Sequence, residues 1–273
     1  MPLLPAPFEA ILRRHSAIYV IVSPPRSGST AFARVLWEHP TVRYYCHEPF
    51  EVTYYRKEGL GEVAAKLDAP LDLAPLNPPS AQPIDNRLVI KEMPYQVGDN
   101  YPILFELATK PLVFLIRDPR LNIASRIEKK VMVGSSPYFP LIETGWMLIA
   151  KFIASCRDKE IPYMVVDATD FRNEPEAVFS QVFERLGLDF SAEMLSWHAH
   201  PEVELDNLAG EHSHLYRRVL SSTGIQPALE EIPPIDSFPT EHGIRAHVLE
   251  CLDIYRPLGR DENPVRPTRP VNA

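Results

Sequence analysis

The sequence lacks what several function classes require. Its 273 residues hold three cysteines, Cys46, Cys156 and Cys251, odd in number and widely spaced. That pattern offers neither a disulfide framework nor a set of metal ligands, so reduced thiols in a cytoplasmic setting are expected. The pairs His198/His200 and His212/His214 have no carboxylate or cysteine at metal spacing, and no metal site is expected. No apolar run approaches the ~18–20 residues of a membrane span. Met1 to His15 has no apolar core of signal-peptide length, and no membrane partner is expected. Positive charge is scarce too: 28 Lys and Arg against 36 Asp and Glu leave a net charge of −8. This argues against a nucleic-acid partner or an anionic membrane surface. An anionic ligand would need a local basic pocket inside an acidic body.

What is present is globular. Hydrophobic residues make up 45% and charged residues 23% of a chain long enough for a sizeable core. Apolar, β-branched runs alternate with helical patterns. Strands are expected at 18–22, 42–46, 87–91, 111–116 and 163–166. Helices are expected after residue 30 and near 101–109, 121–133, 140–157, 174–186, 192–198 and 241–255. Such alternation predicts an α/β fold of three layers, α/β/α, with a central, mostly parallel sheet of about five strands. The chain reads as a single domain over 1–273, with a Pro-rich loop at about 69–83 and an irregular Pro-rich C-terminal segment. Ligands of such sheets bind at the carboxyl ends of the strands, where the polar loops of this sequence fall.

The chain is organised around Ile18 to Val22, the loop Ser23-Pro24-Pro25-Arg26-Ser27-Gly28-Ser29-Thr30, and the amphipathic run that follows. Pro24 and Pro25 end the strand, Gly28 permits a close turn, and Ser29 or Thr30 stands where a helix needs an N-cap. Backbone N–H groups would converge there at the positive end of a helix dipole, with Arg26 and three hydroxyls beside them. That is a site for a phosphate or sulfate. The G-x-x-x-x-G-K-[ST] pattern of nucleotide hydrolases is absent.

Pro-Pro-Arg-Ser-Gly-Ser-Thr resembles the 5′-phosphosulfate-binding loop of the sulfotransferases that use 3′-phosphoadenosine 5′-phosphosulfate (PAPS), which carry P-[KR]-[ST]-G-[ST]-[ST] between first strand and first helix. The resemblance implies that Pro25, Arg26, Ser27, Gly28, Ser29 and Thr30 bind the co-substrate. It also implies that Arg26 stabilises the bridging oxygen as it leaves. A second segment, Val113 to Ile116 followed by Arg117-Asp118-Pro119-Arg120 with Ser125 eight positions beyond Arg117, resembles the 3′-phosphate motif of the same family. Arg117 and Ser125 then correspond to the residues that hold the 3′-phosphate. Read alone, Arg117-Asp118 would be a local ion pair at a strand end. The two motifs cover roughly the first half of the chain. Tyr216-Arg217-Arg218 and Ser221 to Gly224 resemble the family's late R-K-G segment only loosely.

Three residues are candidates for the base that takes the acceptor proton. Glu48 ranks first: His47-Glu48-Pro49-Phe50 resembles the region of bacterial trehalose sulfotransferase that carries its catalytic Glu. Glu92, after the strand 87–91, ranks second. His47 ranks third, and its side chain should point away from Glu48 if the segment is extended. The catalytic His of the animal cytosolic enzymes has Met93 in its place here, which favours a carboxylate. Lys91 is a candidate to reach the transferred group.

The resemblance therefore implies transfer of a sulfuryl group from PAPS to a hydroxyl or amine, by in-line displacement and without a metal. Adenosine 3′,5′-bisphosphate would be the other product. A small-molecule P-loop kinase and a non-catalytic nucleotide-binding relic of the fold are the alternatives. The expected partner is a small acceptor with an apolar or ring portion, because Tyr44, Tyr45, Phe50, Tyr54, Tyr55, Tyr95, Tyr138, Phe139 and Trp146 could line its pocket. The chain could also pair as a homodimer.

Overall fold

In a computed structural model, residues 4–76, 85–205, 208, 216–261 and 263–267 are described. Strands β1 (Ile18–Val22), β2 (Val42–His47), β3 (Leu71–Asp72), β4 (Arg87–Glu92), β5 (Leu112–Ile116), β6 (Tyr163–Asp167) and β7 (Pro264–Val265) form one sheet in the order β3-β2-β4-β1-β5-β6-β7. All neighbours are parallel except β3, which runs against β2. The helices, in chain order, are α1 (Ala6–Arg14), α2 (Ser29–Trp37), α3 (Glu51–Tyr55), α4 (Leu60–Asp68), α5 (Pro94–Val97), α6 (Tyr101–Leu107), α7 (Pro119–Met132), α8 (Trp146–Asp158), α9 (Ala168–Asn173), α10 (Pro175–Leu186), α11 (Arg217–Leu220) and α12 (Ile244–Leu258).

Every residue of β1 and β5 is buried, as a strand covered on both faces requires. Side chains alternate between the faces. Ile18, Val20 and Val22 join a core with α1, α6, α8 and α12, whereas Tyr19 and Ile21 join a core with α2, α9 and α10. The three layers expected from the sequence are therefore present.

Among the described residues the sheet has seven strands rather than five. The two additions are two-residue edge strands, too short to show periodicity. β7 lies in the Pro-rich tail, and Pro264 is tolerated there because an edge position does not need its missing N–H. β3 lies in the Pro-rich loop at 69–83, the rest of which from residue 77 falls outside the described residues. The leading segment is a helix, α1, whose Phe8 and Ile11 are buried. The helix expected at 140–157 is divided: a 3₁₀ turn, Leu141–Thr144, precedes α8, with Gly145 at φ +78° between them. A Cβ on Gly145 would stand 3.3 Å from Pro94 and 3.5 Å from Pro24. The helix expected at 192–198 is a 3₁₀ turn, Ala192–Leu195. Cys46, Cys156 and Cys251 are free and buried. Among the described residues, no helix is long and apolar enough to cross a membrane.

Candidate active site

Strand β1 sits at the middle of the sheet, and the chain crosses it between β4 and β5. The crevice beyond these carboxyl ends is the expected ligand site of an open α/β sheet. A cavity of about 750 Å³ opens there, within the size range of small-ligand pockets.

Its first wall is the turn from β1 to α2. Arg26 and Gly28 both have positive φ, +65° and +77°. Gly28 itself occupies the N-cap position of α2, so no side chain caps the helix, contrary to the expectation of Ser29 or Thr30 there. The first-turn N–H groups are left to the cavity, which Pro25 through Thr30 all line. The Ser27 hydroxyl is buried with no hydrogen-bond partner among the described residues. An orphaned donor in such a turn fits an anion bound by the loop.

The second wall comes from β5 and α7. Asp118 caps α7 by accepting from the Arg120 N–H at 2.9 Å, and it is paired with the Arg120 guanidinium. Asp118 thus pairs with Arg120 rather than with Arg117. Arg117 Nη1 donates to the Arg26 carbonyl at 2.9 Å, and Arg26 Nε donates to the Ser125 hydroxyl at 3.2 Å. The two sequence motifs are in direct contact. Arg117 lines the cavity, and Ser125 meets it through Arg26. Burial, and then the charge of Arg117, lower the affinity of Arg26 for its proton. Arg126 and Arg218 add to the positive charge around it.

One counter-charge comes from the chain itself. Glu230 stands 3.3 Å from Arg117 Nη2 and accepts with both oxygens from Arg172 Nη1 at 3.0 Å. Arg172, in α9, also binds the carbonyls of Gln226 and Pro227. The segment 226–230 is thereby strapped across this wall.

The third wall is a buried charge cluster at the ends of β2 and β4. Glu48 is 1% exposed and has φ +48°. That left-handed backbone corrects the expectation that Glu48 and His47 point apart. Instead, His47 Nε2 lies 3.2 Å from Glu48 Oε1. Lys91 pairs with the same carboxylate, Gln96 Nε2 donates to Oε2 at 2.8 Å, and the Tyr216 hydroxyl stands 3.5 Å away. Burial pushes the Glu48 carboxyl up, but Lys91 and His47 outweigh it and hold it well below the usual carboxylate range. Glu48 and Lys91 both line the cavity.

Glu92, the second candidate base, is not brought to the cavity. It is fully buried, accepting from the N–H groups of Phe50 and Met93 at 2.8 Å each. Burial, followed by the charge of Glu48, raises its pKa. Its carboxyl shapes the turns after β2 and β4. The His47 ring is also away from the cavity lining, with Nδ1 bonded to the Tyr45 hydroxyl.

Of the aromatic candidates, Tyr55 and Tyr95 line the cavity, with their hydroxyls 3.0 Å apart. Tyr54 donates to Glu143, and Phe139 lies under Arg126. Tyr45, Phe50 and Trp146 are core residues, Tyr138 stacks on His242, and Tyr44 packs on His15. The loosely matched late segment does reach the site: Tyr216, Arg218 and Ser221 to Gly224 line the cavity. His212 and His214 lie outside the described residues. Sequence reading missed Gln96, Glu51, Arg126, Glu143, Arg172 and Glu230. None stands in a local motif, and only the fold collects them.

Known proteins share this fold. The family model for the sulfotransferase domain matches residues 18–238. The solved sulfotransferase domain from the curacin biosynthetic pathway is similar at 16% identity and a TM-score of 0.51, over 89% of this chain and 98% of that one. A mouse sulfotransferase, SULT7A1 complexed with PAP, aligns at 12% identity and a TM-score of 0.49, over 94% of this chain and 90% of that one. No curated protein matches the sequence. With residues 18–238 matched, the chain belongs to the sulfotransferase domain family.

Proposed function

We propose that the chain transfers a sulfuryl group from PAPS to a hydroxyl or amine of a small acceptor, with Glu48 as general base. The observation that carries this reading is the convergence in one cavity of the β1–α2 turn, Arg117 and the buried Glu48–Lys91 pair, each from a different parallel strand. The donors fit the co-substrate. The orphaned Ser27 hydroxyl and the open first turn of α2 suit the 5′-phosphosulfate, and the crowded Arg26 and Arg117 suit added negative charge.

When bound, PAPS supplies an activated sulfuryl group whose bond to the 5′-phosphate is the one broken. Residues Ser27 to Thr30 hold the 5′ end with hydroxyl and backbone donors. Arg26 faces the bridging oxygen and stabilises the charge it acquires. Arg117 bears the 3′-phosphate, with Ser125 fixing the Arg26 side chain between the two sites. Glu48 is ionised at neutral pH and accepts the acceptor proton on its carboxylate. Lys91 keeps that buried carboxylate compensated and is placed to meet a sulfuryl oxygen. Gln96 fixes the direction of the carboxylate.

Calorimetric titration with adenosine 3′,5′-bisphosphate and with ATP, each with and without magnesium, tests the reading. The bisphosphate is expected to bind without magnesium, and Arg117→Ala to weaken it by about 10- to 100-fold, the loss of one charge-assisted contact of about 1.5–3 kcal/mol. Binding of ATP only, with magnesium, would replace this reading with a kinase.

A further inference from the structure

Helix α7 runs from the phosphate wall to the mouth of the cavity. It carries Ser125 beside Arg26, then Arg126, then Lys129 and Lys130, and ends near Val133. At 1.5 Å per residue, Lys129 lies about 6 Å and Val133 about 12 Å beyond Ser125 along the axis. Residues on this helix therefore mark distance from the reacting centre.

Most charges on the acceptor side are matched. Glu48 is paired with Lys91, and Arg126 is paired with Glu143, which also accepts from Tyr54. Glu51 is buried at the cavity wall. Lys129 and Lys130 differ. Both are half-buried and line the cavity, and neither has an ion pair among the described residues. The neighbouring Glu128 is exposed and stands outside the lining. Two cations held at the rim of a cavity in a chain of net charge −8 are a localised reversal of sign.

Directly beyond them the surface turns apolar. Val131, Met132 and Val133 are 56, 72 and 54% exposed, and Val133 is continuous with the cavity wall. Met132 is among the most exposed large hydrophobic residues described. An apolar step continuous with a binding cavity is a surface that a ligand can cover. Read outward from Glu48, the acceptor meets a proton acceptor, the Tyr55 and Tyr95 rings, two unmatched cations, and then bare aliphatic surface.

We infer that the acceptor is an anionic amphiphile. Its hydroxyl reaches Glu48, a carboxylate or similar anion pairs with Lys129 and Lys130, and an aliphatic portion covers Val131 to Val133. The inference rests on the sulfotransferase reading of the same cavity and adds its substrate class.

The test uses full-length protein saturated with adenosine 3′,5′-bisphosphate. Three probes of equal length, 8-hydroxyoctanoate, 8-hydroxyoctanamide and 8-amino-1-octanol, are titrated calorimetrically. The carboxylate is expected to bind about tenfold more tightly than the amide, and the ammonium weakest of all. Lys129→Gln/Lys130→Gln is expected to abolish that order while leaving bisphosphate affinity unchanged. Val131→Ser/Met132→Ser/Val133→Ser should leave 8-hydroxyoctanoate, whose chain ends at the carboxylate, unchanged, and should weaken 2-hexyl-8-hydroxyoctanoate, whose aliphatic branch extends beyond that carboxylate, without changing the charge preference. The inference is overturned if the carboxylate probe does not bind, if the three probes bind alike, or if the order survives in the lysine variant. Failure of the bisphosphate itself to bind would instead overturn the underlying sulfotransferase reading, so the two failures are distinguishable.

Discussion

The two sides of the cavity are built on opposite plans. On the β2–β4 side, Glu48 is surrounded by Lys91, His47, Gln96 and Tyr216, and the cluster is buried. On the β1–β5 side, Arg26 and Arg117 crowd each other, Ser27 has no partner among the described residues, and the strap residue Glu230 supplies a counter-charge. The first side is assembled before any ligand arrives. The second is left deficient in negative charge. A site that performs proton transfer needs a fixed carboxylate, whereas a site that captures an anion needs unmet donors.

That contrast can be broken at either side. The largest effect is expected from Glu48→Gln, which should lower kcat by about 10²–10⁴-fold, the usual range for a general base. Bisphosphate affinity measured by calorimetry should hold. A kcat within a few fold of wild type would remove Glu48 from the chemistry. Next is Lys91→Met, which strands the buried Glu48 charge and should cost about 3–5 kcal/mol in urea unfolding. Glu48→Gln/Lys91→Met should recover most of that loss, and no recovery would mean that the pair is not the source.

Glu230→Gln probes the other side. Glu230 is 42% exposed, so solvent limits its pairing to about 1 kcal/mol. Removing it should tighten bisphosphate binding by up to about fivefold at low salt. Weaker binding would show that Glu230 positions the guanidiniums rather than competing for them. The smallest expected effect is a flat profile. The Glu48 pKa is depressed, so its proton-accepting form is present above the ordinary carboxylate value and is lost only as pH falls below it. The kcat/KM profile should therefore show no acid limb between about pH 5.5 and 8. A limb near an ordinary imidazole value of about 6.5 would transfer the role to His47.

Local chemistry explains what could be read from the sequence. The run Ile18–Val22 matches β1 residue for residue, because a doubly buried parallel strand must be continuously apolar. Arg26 and Arg117 were legible because a turn and a strand end each carry their own signal. The base cluster was only half legible. The sequence offers Glu48, Glu92 and His47 as near neighbours of strand ends, but the backbone turn at residue 48 decides which carboxylate faces the cavity. Gln96 sits on a four-residue helix and Glu230 on a strap, and neither has a periodicity or motif to mark it. The edge strands β3 and β7 were hidden for a related reason, since two residues cannot show an alternation.

Arg26 and Glu48 share a backbone feature whose consequence reaches past the reaction. Both are charged residues in the left-handed region, at φ +65° and +48°. For a residue with a Cβ that conformation costs about 1–2 kcal/mol. A sequence optimised only for durability would place glycine or asparagine at both positions. Here the side chain with the chemical task and the backbone bend that aims it belong to one residue, so neither can be improved without the other. Stabilised versions of this fold obtained by substitution at residues 26 and 48 should therefore be the inactive ones, and durable active versions must be sought elsewhere in the chain.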